Sequence, residues 1–334
     1  MTDTMRAVVT TGHGDIEIKN VPVPQPKPTE VVIEPVGTGI CGTDLHLVKG
    51  DYVTSKYPLI LGHEMAGYVT KVGDDVLDIA VGDYVGANPN VTCGKCTWCK
   101  QEATNLCEQI SPAGIIQDGS CAEYVAMPAE FVYKLSADIP HHVAPLTEPL
   151  SCVLHALDRA PDWRDQDMVI FGAGSIGLVA LIVALDEGAT SVSVVEPNPT
   201  RRKQALKLGA AQAVESAAEL ERDSYDLTLD ASGHADAIAD AIRILGKRGR
   251  LIQMGVASPD ATIDFHPIDL FEKEISLIGS QSLANMYPAA AERMASLHEK
   301  LGDLVTGTFP VDQYEEALEA MKSPEHIKIF ITAQ

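Results

Sequence analysis

The 334-residue chain is short of aromatic side chains (5%) and of positive charge, with 25 Lys and Arg against 47 Asp and Glu. Scarce aromatics leave aliphatic side chains to fill the cores. A net charge of −22, a pI near 4.7 and the absence of any basic run exclude a surface built for nucleic-acid phosphates or anionic lipid. Internal repeats and low-complexity tracts are missing too. Residues 1–15 lack the basic and apolar regions of a signal peptide, so the expected location is cytoplasmic. One stretch, Met168 to Leu185, is free of charge over the length of a short membrane span. Acidic residues flank it on both sides (Asp165, Asp167, Asp186, Glu187) and glycines interrupt it, so it reads as a buried strand and helix.

What the chain does have is apolar material for packed cores, 46% hydrophobic residues at a mean hydropathy of +0.04. Its length predicts two domains. Before Pro149, short β-branched runs (Val31–Ile33, Tyr68-Val69, Tyr84-Val85, Glu123–Ala126) lie between Gly and Pro punctuation and read as strands. The prolines at 22, 24, 26 and 28 suit an extended edge. After Pro149 the rhythm changes. Strands at Met168–Phe171, Ser191–Val195, Asp226–Asp230, Arg250–Gly255 and Glu274–Gly279 alternate with helices starting at Gly174, Thr200 and Ala235. Such alternation predicts a parallel sheet covered on both faces. The tail, with a helix at Tyr314–Met321 and a strand at Ile327–Ile331, returns to the first rhythm.

Gly172-Ala173-Gly174-Ser175-Ile176-Gly177 sets G-x-G-x-x-G between an apolar strand and a helix. The first glycine turns the chain, the second admits a pyrophosphate to the backbone, and the third allows close helix packing; the helix N-terminus binds the anion. Glu196, at the end of the next strand, is placed to accept hydrogen bonds from the ribose hydroxyls and to repel a 2′-phosphate, which favours NAD over NADP. Arg201 and Arg202, just downstream, pull the other way.

Cys93, Cys96, Cys99 and Cys107 form C-x2-C-x2-C-x7-C, the spacing of a closed, structural zinc site; an iron–sulfur cluster is the competing use of such a run. Seven cysteines without a secretory signal argue for metal binding over disulfides. A second constellation joins Cys41, Thr43, Asp44 and His46 to His63 and Glu64, about 20 residues on.

These motifs resemble those of the zinc-containing medium-chain dehydrogenases: Gly62-His63-Glu64-x-x-Gly67 with Gly73 and Val76, Cys41-Gly42-Thr43-Asp44, the four-cysteine lobe and the Gly172–Gly177 turn, in that order. The resemblance implies an α/β architecture, a GroES-like β-rich catalytic domain (1–153 and 290–334) with a Rossmann doubly wound parallel sheet (154–289) inserted. It implies one catalytic zinc held by Cys41 and His63 and one structural zinc in the lobe. At the third ligand position stands Thr147-Glu148-Pro149-Leu150, as in the polyol, glucose and threonine dehydrogenase branch, where Glu148 ligates zinc or its water. Cys152 competes for that role, and Glu64 is a carboxylate that family members bring on or off the metal. Thr43 is implied to take the substrate proton and His46 to pass it to solvent, with Asp44 an orienting partner or a turn cap. The nicotinamide is implied to lie near Gly255, Val256 and Thr147, and the pocket wall to include Leu45, Tyr52 and the neighbourhood of Ile115. The expected function is hydride transfer between a secondary alcohol, a polyol or vicinal diol foremost, and NAD. Simple secondary-alcohol oxidation or carbonyl reduction, and threonine-type amino-alcohol oxidation, are the alternatives; a non-enzymatic nucleotide-binding protein would have lost Cys41, Thr43 or His63. The resemblance also implies a homodimer or homotetramer, with Glu274–Gly279 as a pairing edge.

Overall fold

The structure, a computed structural model, describes residues 4–51 and 55–333. Its chain divides into two compact units, Met1–Ser151 with Ala284–Gln334, and Cys152–Leu283.

The first unit opens with β1 (Thr4–Thr10), whose edges are taken by β2 (Glu17–Pro22) and, after α1 (Gly42–Lys49), by the short β4 (Leu59–Ile60). Of the proline series, Pro22 ends β2 opposite Thr4, Pro24 and Pro26 follow outside any strand, and Pro28 enters the turn before β3. Between β2 and α1 runs β3 (Glu30–Ile40), the central strand of a seven-stranded sheet. It pairs antiparallel with β5 (Glu64–Val72), which in turn pairs β6 (Tyr84–Ala87). The pair β7 (Asn90–Val91) and β8 (Ser111–Pro112) brackets a lobe holding the one-turn helix α2 (Thr97–Lys100). Then β9 (Val125–Pro128) adds to β3 and β10 (Val132–Lys134) to β6. The strand expected from Glu123 thus begins at Val125. A 3-10 turn, Ala144–Leu146, leads into α3 (Thr147–Asp158), within which the chain crosses to the second unit.

That unit alternates as expected: β11 (Asp167–Phe171), α4 (Ser175–Asp186), β12 (Ser191–Val195), α5 (Pro199–Lys207), β13 (Gln212–Val214), β14 (Tyr225–Asp230), α6 (Ala235–Arg243), β15 (Leu245–Gln253), α7 (Pro267–Lys273) and β16 (Ser276–Gly279). All pairings are parallel, in the order β13-β12-β11-β14-β15-β16. This is the doubly wound arrangement, with its reversal of strand order between β11 and β14. The charge-free stretch is β11 and α4, and α4 is apolar all round because residues 177–184 are all buried. No helix among the described residues is long and apolar enough to cross a membrane. β15 starts earlier than expected: a tight turn with Arg248 in the left-handed region (φ 60°) interrupts it, yet Leu245 still pairs with Tyr225.

The chain rejoins the first unit at Ala284, ahead of the expected residue 290. Asn285 already exchanges hydrogen bonds with Thr104 Oγ1 (2.7 Å) and the Glu102 carbonyl (3.1 Å) of the lobe. The return consists of α8 (Tyr287–Gly302), β17 (Val305–Pro310), α9 (Tyr314–Ala320) and β18 (Lys328–Thr332). β18 lies antiparallel to β3 and parallel to β17, so the last strand of the chain borders the centre of the sheet.

Candidate metal centre and cofactor turn

Cys41 ends the run of β3 and sits at the N-cap of α1 in extended backbone. Its N–H donates to Asp44 Oδ2 (2.9 Å), and its Sγ stands 3.8 Å from Thr43 Oγ1. Asp44 is fully buried, and its other oxygen faces His63 Nδ1 at 3.6 Å. One oxygen therefore caps the turn, while the other faces the imidazole across a gap longer than a hydrogen bond. Gly62 has φ 98°, and a Cβ there would stand 2.7 Å from the Cys121 N and Ser120 Oγ, so only glycine delivers His63 and Glu64 to the start of β5 in this way.

Cys41, His63 and Glu64 each offer a donor atom, all within 4.8 Å of one another. Glu64 (1% exposed) forms an ion pair with Lys328 (4% exposed) through Oε1, while its Oε2 is buried without a hydrogen-bond partner. Lys328 is a residue that sequence reasoning missed. Burial alone would lower its pKa, but the charges of Glu64, Cys41 and Glu148 outweigh that and raise it. His63 behaves likewise: burial lowers its pKa, and Asp44 and Cys41 together lift it well above the ordinary range. Negative groups thus outnumber the one buried lysine, an arrangement that a divalent cation balances. A thiol, an imidazole and a carboxylate with an orphaned oxygen suit zinc. Glu148 is buried in the first turn of α3 but is not part of the converging trio; the third donor there is Glu64. Thr147 is fully buried and its Oγ1 donates to the Ala144 carbonyl (2.7 Å). His46 is exposed on α1, its Nδ1 3.0 Å from Asp51 Oδ2. Leu45 and Ile115 are half-buried against one apolar cluster, and Tyr52 lies outside the described residues.

The lobe brings Cys93, Cys96, Cys99 and Cys107 within the same 4.8 Å. Backbone N–H groups of Cys93 (3.3 Å) and Gln109 (3.4 Å) point at Cys107 Sγ, the pattern of a site prepared for thiolates. Donation from the backbone of Cys99 and Glu108 lowers Cys96 to about 6, whereas desolvation and the Cys96 thiol push Cys99 up to about 11.

In the second unit, Gly172 (φ 97°) makes the turn after β11, and a Cβ on Gly177 would stand 1.9 Å from the Gly172 carbonyl. Gly174, the N-cap of α4, has open space where its Cβ would be, and Ser175 and Ile176 begin the helix. Glu196 is buried and accepts from Ala173 N (2.8 Å) through Oε2 and from Asn198 N (2.9 Å) through Oε1, so it fixes the turn it is expected to complement. Arg202 is committed to the carbonyls of Glu196 (2.8 Å) and Pro197 (2.7 Å), while Arg201 keeps a buried Nε without a partner. Asp230, unmarked by any motif, is fully buried at the end of β14 and accepts from Ser232 N (2.9 Å), Ser232 Oγ (2.6 Å) and Gly233 N (3.2 Å). Gly255 packs against it, since a Cβ there would stand 2.5 Å from Asp230 Oδ2; Val256, next along, is 91% exposed.

Two family profiles match the chain, "Alcohol dehydrogenase GroES-like domain" over residues 27–137 and "Glucose dehydrogenase C-terminus" over residues 141–332. The chain belongs to the zinc-type medium-chain dehydrogenases. Within that family it is similar to the sorbitol dehydrogenase of Halalkalibacterium halodurans, 34% identical over 98% of this chain and 99% of the relative. It is also similar to the L-threonine 3-dehydrogenase of Pyrococcus horikoshii, 32% identical over 98% and 99%. Among solved structures, a zinc-binding dehydrogenase of Sinorhizobium meliloti bound to NADP superimposes with a TM-score of 0.93 at 27% identity, covering 99% of this chain and 100% of that one. The chain is thus an oxidoreductase of the alcohol and polyol dehydrogenase type.

Proposed function

We propose that the protein oxidises a secondary alcohol flanked by a second hydroxyl, a polyol or vicinal diol, with NAD as hydride acceptor and zinc at Cys41, His63 and Glu64. The observation that carries this reading is the converging trio with the orphaned Glu64 Oε2, in a chain related over its full length to a sorbitol dehydrogenase. In this reading the first unit is the catalytic, zinc-binding domain and the second the NAD-binding domain; a second zinc in the lobe is structural. When bound, zinc supplies Lewis-acid polarisation of the alcohol, and NAD the hydride chemistry. The chain's own residues do the rest. Asp44 orients His63, and Glu148, buried close by, is the carboxylate available to the metal or its water. Thr43 takes the substrate's hydroxyl proton at Oγ1, and the exposed His46, held by Asp51, passes it to solvent. Glu196 keeps acceptor capacity for the ribose hydroxyls after its two backbone bonds, since each carboxylate oxygen accepts more than once. Its charge disfavours a 2′-phosphate, although Arg201 supplies a competing attraction.

The test is cofactor reduction by the purified protein, with and without a zinc chelator, on a panel of polyols, 2-propanol and threonine with NAD and NADP. Chelator-sensitive NAD reduction confined to vicinal diols is expected. Strong turnover of 2-propanol or threonine would replace the polyol reading by one of the alternatives, and preference for NADP would overturn the role of Glu196.

We further propose homo-oligomer formation through β16. Among the described residues it is an edge strand paired with β15 alone, its Leu277 is exposed, and Ile268 and Phe271 of α7, the element before it in the chain, are exposed too. An uncovered edge with apolar residues invites pairing with a second copy. Sedimentation should show an assembly for the wild type and monomer for Leu277→Asp; equal mass for both refutes the placement.

A further inference from the structure

The carboxyl edge of the parallel sheet carries two buried carboxylates, and one of them belongs to no nucleotide motif. Glu196 follows β12, whereas Asp230 ends β14 on the other side of β11, in register with Phe171. In a doubly wound sheet the strands on either side of the reversal form two mononucleotide-binding halves, and a dinucleotide lies across the crevice between them. The Gly172–Gly177 turn and Glu196 belong to the first half, β11 to β13. Asp230 ends the first strand of the second half, β14 to β16.

Asp230 is fully buried and forms no ion pair among the described residues. A buried charge without a counter-charge persists only where hydrogen bonds replace water. Here Oδ1 accepts from Ser232 N and Oγ, Oδ2 accepts from Gly233 N, and the backbone carbonyl accepts from Met254 N (3.0 Å) and Gly255 N (2.9 Å). One residue thus ties the loop after β14 to the loop after β15. Their backbones are also in close contact. A Cβ on Gly255 would stand 2.1 Å from Gly233 N, and one on Gly233 would stand 2.4 Å from the Val256 carbonyl oxygen. Beyond that contact the exposed Val256 offers apolar surface that a ligand's ring would cover.

We propose that Asp230 is a positioning residue for the nicotinamide end of NAD, its carboxylate fixing the Ser232-Gly233 turn on which the Gly255–Val256 peptide is seated. This rests on the NAD reading of the Gly172–Gly177 turn. Being fully buried, Asp230 acts through the two loops and not on the cofactor itself.

Asp230→Asn keeps the volume and the Oδ1 bonds to Ser232 but turns an amide, which cannot accept, towards Gly233 N. Calorimetry compares the binding of NADH with that of ADP-ribose, the same cofactor without its nicotinamide. NADH should bind Asp230→Asn about tenfold more weakly than wild type, the worth of one charged hydrogen bond, whereas ADP-ribose should bind both alike. Ser232→Ala, which removes only the Oγ bond, should show the same selective loss at about threefold, and it decides the matter should Asp230→Asn fail to fold. Equal weakening of both compounds, or of neither, overturns the proposal, because a merely structural carboxylate would not distinguish the two ends of the cofactor. A wild type that binds neither compound overturns the NAD reading and the proposal with it.

Discussion

The four lobe thiols come from one short loop, residues 93–107, and three of them are half-exposed; the trio of Cys41, His63 and Glu64 comes from two chain segments, and His63 and Glu64 are buried. The lobe's thiols receive backbone N–H groups from the loop and the residues just after it, and from elsewhere in the chain Asn285 meets Thr104 and Glu102. The trio needs the fold. Gly62 must sit against Ser120 and Cys121, Asp44 must face His63, and Lys328 must arrive from the far end of the chain to meet Glu64. A closed site can be a local device, whereas a site that leaves room for substrate is held from outside by residues remote in sequence. That difference predicts opposite losses. Cys41→Ser should lower kcat/KM by about three orders of magnitude, the several kcal/mol a Lewis acid supplies, with the lobe zinc retained. Cys96→Ser should instead release the lobe zinc and lower the melting temperature while leaving measurable turnover. Metal content and steady-state rates of the two variants check this. Complete inactivation of Cys96→Ser with the other zinc in place would erase the distinction.

Lys328 sharpens the contrast because the lobe has no counterpart to it. Removing one partner of a buried ion pair strands the other charge, at a cost of about 3–5 kcal/mol. Lys328→Met should destabilise the metal-free protein by that order. With zinc present the loss should shrink, since the metal then balances Glu64. Thermal melts with and without chelator measure both; an equal loss in the two states would mean that Glu64 and the metal do not meet.

How much of this could be read in advance follows the same division. C-x2-C-x2-C-x7-C and G-x-G-x-x-G are contiguous, and both form the geometry their spacing implies. The alternating strands of the second unit were legible because buried parallel strands are unbroken apolar runs. The long α8 was not, although its buried residues (Tyr287, Ala290, Ala291, Met294, Leu297, Leu301) repeat at helical spacing and Pro288 stands in its first turn. Three alanines at 289–291 dilute the apolar period, and nothing caps the start with a side chain. Lys328 carries no motif, and a lone lysine in a strand says nothing of a carboxylate far along the chain. Asp230 could have been suspected, because an acid at a strand's end followed by Ser and Gly is a common loop-ordering device. Of the two carboxylates, the sequence points to Glu148 by its family position, whereas the ion pair with Lys328 that holds Glu64 joins residues too far apart in the chain to be read.

In the second unit the comparison turns on Glu196, a buried carboxylate whose partners are backbone amides in place of a lysine. Glu196→Ser should cut the preference for NAD over NADP by roughly tenfold to a hundredfold, the worth of a charged hydrogen bond of about 1.5–3 kcal/mol. The ratio of kcat/KM for the two cofactors reads it directly. The same substitution removes two bonds that hold the turn, so KM for both cofactors should rise. An unchanged ratio with both KM values raised would leave Glu196 a structural residue only.

The smallest effect separates the thiols of the lobe from one another. In metal-free protein Cys96 titrates at about 6, because backbone N–H groups of Cys99 and Glu108 stabilise its thiolate, and Cys99 at about 11, because desolvation and the neighbouring Cys96 oppose its ionisation. The thiolate is the reactive form. At neutral pH a maleimide should therefore label Cys96 first, its rate falling as the pH drops through 6, while Cys99 stays protonated and lags until strongly alkaline pH. Zinc, which takes all four thiols as ligands, should silence both. Peptide mapping after brief labelling at several pH values decides the order. Equal labelling of the two cysteines in the metal-free protein would mean that the lobe's backbone donors are organised by zinc and not by the loop itself, and the contrast between a local site and a fold-dependent one would lose its firmest support.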